Sequence, residues 1–314
     1  MNYNSEHLIN FPPCPICSKT KWDVVHKGPV RDGVFGTWRD SEVRRCVGCG
    51  VERLAESACL NHESYETSEY RARLAQDHDI NRHYAAHDEL AQFTLNVLWP
   101  RIVRGKTIAD VGCGGGALLD HFQGIGGTLI AIEPALPFSE SLRSRGYQWY
   151  SSTTEAEEYH SDQVDVVLST QVIEHVSNPR EFLRDIGRLL APDGIAVVST
   201  PNRNDILMEL LPDDFPQFFY RTQHRWAFDA DSLSQCAVSA GLSVAEIRHV
   251  HRYGIANTMH WLKENKPRGR DPLSPLDSTI DKHWQAWLEN NGRADNLYII
   301  LKKNNNNTHL GTKT

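Results

Sequence analysis

Ile108-Ala109-Asp110-Val111-Gly112-Cys113-Gly114-Gly115-Gly116 is an apolar run that empties into a turn with glycine at 112, 114 and 116. A helix-forming stretch, Ala117-Leu118-Leu119-Asp120, follows at once. Glycine suits places where the backbone must take a positive φ, or where a ligand lies against the main chain. Glu133 stands 21 residues after Gly112, at the end of the next apolar run. An acid at that place can accept hydrogen bonds from both hydroxyls of a ribose. A turn that merely joins a strand to a helix explains the glycines but not the acid.

Outward from this turn the texture is α/β. Strands are expected at 107–111, 128–132, 148–151, 165–169, 195–199, 242–251 and 297–301. Helices are expected at 116–123, 138–145 and 231–240, the last ended by Gly241. Another opens at Asn178-Pro179 and runs through Leu183, Ile186 and Leu190, because Asn before Pro is a strong helix start. Strands alternating with helices at this spacing predict a doubly wound, mostly parallel, seven-stranded sheet. Ahead of it, apolar residues recurring from Leu90 to Ile102 predict a helix over 87–103. Two stretches read as irregular insertions, 203–228 and 253–293, the second with a short helix at 284–288. The expected organisation is a small module at 1–60, a helical linker or lid at 61–104, the α/β domain at 105–303 and a disordered tail at 304–314.

The chain has 314 residues, 40% hydrophobic and 23% charged, as an ordinary globular protein does. No apolar run approaches the ~20 residues of a membrane span. Residues 1–10 lack the basic start and apolar core of a secretion signal. Thirty-three Lys and Arg against forty Asp and Glu give a net charge of -7, which weighs against a nucleic acid substrate. The seven cysteines are odd in number, unlike a disulfide framework, so the expected compartment is the reducing cytoplasm.

Two nucleotide patterns fit the glycine turn. Gly112, Gly114 and Ala117 satisfy the G-x-G-x-x-A of a dinucleotide site; Asp110 with Gly112, Gly114 and Gly116 satisfies the acid and G-x-G-x-G of an S-adenosylmethionine site. The stretches 108–122 (IADVGCGGGALLDHF), 131–134 (AIEP) and 165–202 (DVVLSTQVIEHVSNPREFLRDIGRLLAPDGIAVVSTPN) together resemble class I S-adenosylmethionine-dependent methyltransferases, in the branch that includes ubiquinone-type and sugar methyltransferases. The resemblance covers 105–252 and the last strand. It implies a Rossmann-like methyltransferase fold and a cofactor site of Asp110, Gly112, Cys113, Gly114, Gly116, Glu133, Pro134, Thr170 and Gln171. Glu133 would hold the ribose hydroxyls, and Thr170 and Gln171 would lie beside the cofactor. After the third strand the chain reads Ser151-Ser152-Thr153-Thr154, with none of the acids usual near the adenine.

Cys14-Pro15-Ile16-Cys17 and Cys46-Val47-Gly48-Cys49 are two C-x-x-C knuckles with 28 residues between them. Each can place two thiolates on one ion, and four cysteines make the closed, structural type of Zn²⁺ site. A redox pair and an iron–sulfur centre are the alternatives. Arg45-Cys46-Val47-Gly48-Cys49-Gly50 resembles the segment that opens sugar and polysaccharide methyltransferases; zinc-ribbon RNA methyltransferases are the second group with such a ribbon. Basic and acidic residues nearly balance across the module, which is a weak phosphate footprint and favours the sugar reading.

Methyl transfer to a hydroxyl needs alignment and a proton acceptor. His175 follows the fourth strand of the α/β domain and is tied to the Asn178 helix start. His224 sits in 219–228 (FYRTQHRWAF), which resembles a segment of sugar C-methyltransferases where the histidine is a base candidate; Gln223 stands where that segment has an acid. His224 is therefore the expected base, with His175 shaping the site and Tyr220 as a further candidate. The sequence thus leads to a methyltransferase acting on a small molecule, most readily a sugar or glycan. An RNA methyltransferase is the alternative, and a non-catalytic binding module the third reading. The sequence is silent on oligomeric state.

Overall fold

The computed structural model describes residues 11–61, 63–67, 72, 79–98, 103–267 and 278–304. The expected disordered tail beyond Asn304 lies outside the described residues. An N-terminal antiparallel sheet is formed by β1 (Trp22–Arg31), β2 (Trp38–Cys46) and β3 (Glu52–Leu54). The chain then builds β4 (Ile108–Val111), β5 (Leu129–Ile132), β6 (Gln148–Tyr150), β7 (Val164–Thr170) and β8 (Leu190–Pro201). It returns to the first sheet with β9 (Trp226–Ala227) and completes the second with β10 (Leu242–Val250) and β11 (Asn296–Lys303).

The second sheet has seven strands in the order β10-β11-β8-β7-β4-β5-β6. Neighbours from β8 to β6 are parallel, and β11 runs antiparallel to β8 and β10. This is the expected doubly wound, mostly parallel sheet. Its order reverses between β4 and β7, the switch point where open α/β sheets bind ligands. Alternate residues of β4 serve opposite faces. Ala109 and Val111 pack with Leu183, Ile186 and Leu233, while Ile108 packs with Leu119, Phe122 and Leu142. The helix Pro179–Leu189 starts as its sequence demands: Asn178 Oδ1 accepts from the amides of Arg180 and Glu181 at 3.1 and 3.2 Å.

Three local expectations need correction. The helix expected over 87–103 is Ile80–Leu98, starting where Asp79 Oδ1 accepts from the Arg82 amide. Its first turns are polar because they face the glycine turn: the Gly115 amide donates to His83 Nε2 at 3.1 Å. The stretch 253–293 contains the helices Ile255–Glu264 and Ser278–Asn290. The first is inverted, with Asn257, Thr258 and Trp261 buried while Met259 and Leu262 are 53% and 52% exposed. The stretch 203–228 holds the short helices Ile206–Leu210 and Phe215–Phe219 as well as β9.

The two sheets are joined through that last stretch. β9 pairs with β3, setting Glu52 against Ala227 and Arg53 against Trp226. Further back, the Arg31 amide donates to the Tyr220 carbonyl at 3.0 Å and the Thr222 amide to the Arg31 carbonyl at 2.9 Å. Between these pairings lies Glu52, only 1% exposed. It accepts from Arg45 at 2.7 and 3.0 Å, from Arg203 at 3.0 Å and from the Tyr220 hydroxyl at 2.8 Å. Arg203 also pairs with Asp229, the cap of helix Ala230–Ser239.

Removing the charge from a buried, fully engaged acid leaves its cationic partners uncompensated. Glu52→Gln should therefore lower the free energy of unfolding by about 3–5 kcal/mol, measured by urea titration. A loss below about 1 kcal/mol would show that the two sheets hold together without this carboxylate.

Candidate active site and metal centre

A cavity of about 630 Å³ opens at the C-terminal ends of β4, β5 and β7. Asp110, Gly112, Cys113, Gly114, Glu133, Pro134, Thr170 and Gln171 all line it, so the structure brings these expected cofactor residues together. Gly112 has φ +78°, and a Cβ there would collide with the Val172 side chain. Gly116 does not line the cavity. It sits at φ +83° where the helix start packs closely on Leu142 and Arg145. Glu133 is fixed by two backbone amides: Gly114 N donates to Oε2 at 2.7 Å and Ala135 N to Oε1 at 2.9 Å. A carboxylate accepts hydrogen bonds and can take them from ligand hydroxyls as well as from amides. Asp110 is buried, and its Oδ1 has no hydrogen-bond partner. Burial, with Glu133 adding its charge, pushes its pKa up to about 7. Gln171 takes a left-handed backbone at φ +58°, held by its amide on the Ser199 carbonyl at 3.0 Å and its side chain on Asn296 at 3.0 Å.

The far side of the cavity carries the histidines. His175 Nδ1 donates to the Gln223 carbonyl at 2.7 Å, and Tyr65 donates to the same carbonyl at 3.0 Å. Trp226 locks the same loops together: its amide donates to the Glu174 carbonyl at 3.0 Å and its indole to that of Val176 at 2.8 Å. His224 thereby meets His175 edge to face at 4.8 Å. The ligand atoms of Glu174, His175 and His224 lie within 4.8 Å of one another, a cluster able to hold a proton or a cation. Burial lowers the pKa of His175 to about 4. Burial, then Arg221, His175 and Arg31, hold His224 well below the usual histidine range. Both imidazoles are neutral at neutral pH. Glu174, whose Oε2 accepts from Thr200 at 3.0 Å, is pushed up to about 7 by burial.

Tyr220 does not belong to this group. Its hydroxyl is spent on Glu52, outside the cavity, and burial with that acid raises its pKa well above the usual tyrosine value. A phenol so placed is not a base for a cavity ligand.

Residues 78–247 match a family model described as a methyltransferase domain. The chain belongs to this family. The match favours the S-adenosylmethionine pattern of the glycine turn over the dinucleotide one. A "Ubiquinone biosynthesis O-methyltransferase" of Rhodopseudomonas palustris (strain BisA53) is 32% identical over 158 residues, 48% of this chain and 62% of the relative. One of the same name from Dinoroseobacter shibae is 28% identical over 170 residues, 51% of this chain and 68% of the relative. The chain thus spans about 62% of the length of the first of these relatives. The solved Burkholderia thailandensis 1,6-didemethyltoxoflavin-N1-methyltransferase, with bound 1,6-didemethyltoxoflavin and S-adenosylhomocysteine, superposes with a TM-score of 0.50 at 12% identity. The match covers 88% of this chain and all of that one. The likeness is one of fold: the seven-stranded sheet is that of class I S-adenosylmethionine-dependent methyltransferases.

Several residues of this methyltransferase domain's cavity were not evident from the sequence. His83 and His87 stack at 4.0 Å over the glycine turn. His251, Arg252 and Asp295 form an ion-paired wall, with Arg252 Nε donating to Asp295 at 2.6 Å. Arg31 arrives from β1, far outside the methyltransferase motifs. Arg31, His251 and Arg252 meet partners distant in the chain, so no local pattern marks them, whereas His83 and His87 are four residues apart on one helix.

Cys14, Cys17, Cys46 and Cys49 form a separate cluster, all as free thiols. The Sγ atoms of Cys14 and Cys49 are 3.5 Å apart and those of Cys17 and Cys46 3.4 Å. Four sulfurs at 2.3 Å from one ion stand about 3.8 Å from each other, so the cluster fits a tetrahedral metal. The Gly48 amide points at Cys46 Sγ at 3.4 Å, and a Cβ on Gly48 would meet Cys17 Sγ at 2.7 Å. Cys14, Cys46 and Cys49 share a core with Trp22, Trp226, Leu183 and Cys236. The knuckles therefore pack onto the α/β domain.

The raised pKa of Asp110 has a thermodynamic sign. Its unfolded value is about 4 and its folded value about 7. The folded state holds an extra proton between these values, so stability falls as pH rises through that window. Asp110→Asn should melt higher than the wild type at pH 8 without ligand. The difference should shrink at pH 5, where the wild-type carboxyl is already protonated. Scanning calorimetry at the two pH values checks this; a gain of equal size at both would refute the buried-charge account.

Proposed function

We propose that this chain transfers a methyl group from S-adenosylmethionine to an oxygen of a small-molecule acceptor. One observation carries the reading: a single cavity has Asp110, Glu133 and the glycine turn at one end and His175 with His224 at the other. Its volume of about 630 Å³ is in the range of small-ligand sites. Asp110, with its unpartnered oxygen, and Glu133, poised by two amides, are the residues that would hold the cofactor. The cofactor supplies an electrophilic methyl group on a positively charged sulfur. His224 is neutral and free to accept the acceptor's proton. Arg31 and Arg221, whose charges depress the histidine, also favour the anion that forms as the hydroxyl ionises. His175, tied to Gln223, orients that arrangement.

The names of the relatives support O-methylation. A sugar or glycan hydroxyl is one such acceptor, resting on the resemblance of the knuckle segment and without support from those names. The net charge of -7 weighs against RNA. We further propose that the four-thiol cluster holds one structural Zn²⁺ and that the enzyme works in the cytoplasm. Free thiols support both. No helix among the described residues is long and apolar enough to cross a membrane.

Two measurements test these readings. Calorimetry should show one S-adenosylhomocysteine bound per chain, and Glu133→Ala should weaken it several-fold to a hundredfold, the loss of about 1.5–3 kcal/mol. With labelled S-adenosylmethionine and fractionated cell extract, label should enter the small-molecule fraction. His224→Ala should cut that rate by about 10²–10⁴ with S-adenosylhomocysteine affinity unchanged. Label in the RNA fraction, or tight NAD binding in place of S-adenosylhomocysteine, would overturn the assignment. Elemental analysis of protein purified without chelator should find one zinc per chain, and stripping it should lower the melting temperature; metal-free protein of full stability would refute the metal centre.

A further inference from the structure

The far end of the cavity contains a cation with no carboxylate partner among the described residues. Arg31 is 9% exposed and lines the cavity. Among the described residues no carboxylate pairs with its guanidinium, and its Nε has no hydrogen-bond partner. Its one side-chain contact of note is the ring of Phe218, 4.1 Å from Cζ. A structural arginine in such a place would be expected to meet an acid or a row of carbonyls, since a buried cation is costly unless paired. Arg252, which also lines the cavity, shows what that looks like: it is matched by Asp295.

The backbone makes the situation deliberate. Arg31 and Arg221 are directly bridged partners of a short parallel ladder, held by the amide bonds to Tyr220 and from Thr222. Directly paired residues share a face, and like charges paired in this way repel. Both residues line the same cavity, and both press on the His224 imidazole. A fold that pins a second guanidinium beside an unpaired one builds a receptor for an oxyanion. The planar fork of arginine matches two oxygens of a carboxylate or phosphate at once.

We propose that Arg31, with Arg221 beside it, binds an oxyanion of the acceptor, so that the substrate is an acidic small molecule carrying a carboxylate or phosphate group. The acceptor's anionic end lies against Arg31 and the Phe218 ring. Its hydroxyl lies toward His224. Calling the ligand an acceptor rests on the methyl-transfer reading above; the anion site itself does not. The site also accounts for part of the chain outside the methyltransferase motifs: β1 delivers a specificity residue into the cavity.

The full chain saturated with S-adenosylhomocysteine should be titrated calorimetrically with inorganic pyrophosphate and, separately, with benzoate. At least one should bind, and the tighter of the two names the group. Arg31→Met should weaken that anion at least tenfold while leaving S-adenosylhomocysteine affinity as in the wild type. Should Arg31→Met fail to fold, Arg31→Lys serves instead; it keeps the charge without the fork and should weaken the anion at least threefold. The proposal is overturned if neither anion binds, or if the variant binds the anion like the wild type. It is equally overturned if S-adenosylhomocysteine affinity falls together with anion affinity, which would assign Arg31 to the cofactor's own carboxylate. Failure of the wild type to bind S-adenosylhomocysteine would instead sink the methyl-transfer reading and leave the anion titration interpretable.

Discussion

One buried carboxylate ties the molecule together. Glu52 receives Arg45 from its own sheet, Arg203 from the exit of β8 and Tyr220 from the stretch that forms the cavity wall. An ionised acid at 1% exposure is tolerable only when nearly every lone pair is engaged, so all three donors must be present together. That requirement fixes the path of the chain around Tyr220. Further along that path, Gln223 presents its carbonyl to His175, and Trp226 grips the loop of Glu174 and Val176. The two cavity histidines thus owe their meeting to a charge network that touches neither of them. Asp229 extends it, capping helix Ala230–Ser239 while pairing with Arg203.

How much of this could be read in advance follows from the range of each signal. The sheet, the glycine turn, the Asn178 cap and the two cysteine knuckles are written in consecutive residues, and the structure agrees with them. The far side of the cavity is written in residues that meet only after folding. Arg31 and Arg221 are partners across nearly the whole N-terminal part of the chain, and no local pattern announces them. Tyr220 read as a base because its position near His224 was visible and Glu52 was not. Helix Ile255–Glu264 defeated the periodicity rule for a physical reason. Its inner face looks into a polar cavity, so Asn257 and Thr258 point inward and Met259 and Leu262 outward. Helix Ile80–Leu98 was placed late for the same reason, since its first inward residue is His83.

Charged and polar groups of both kinds line the cavity: Asp110, Glu133 and His83 around the glycine turn, and Arg31, Arg221 and Glu174 with the histidines His175 and His224. Burial and the neighbouring guanidinium groups act in the same direction on His175 and His224, both favouring the neutral imidazole.

Helix Ile255–Glu264 and the stretch around Phe218 carry a wider implication. The glycine turn and Glu133 come from the ends of β4 and β5, whereas much of the remaining cavity wall comes from β1, from 205–224 and from this inverted helix. Changes at Asn257 and Thr258 reshape the cavity wall without touching the glycine turn or the apolar cluster in which Trp261 packs with Phe215. The wall of the cavity can thus change at these positions while the glycine turn keeps its shape.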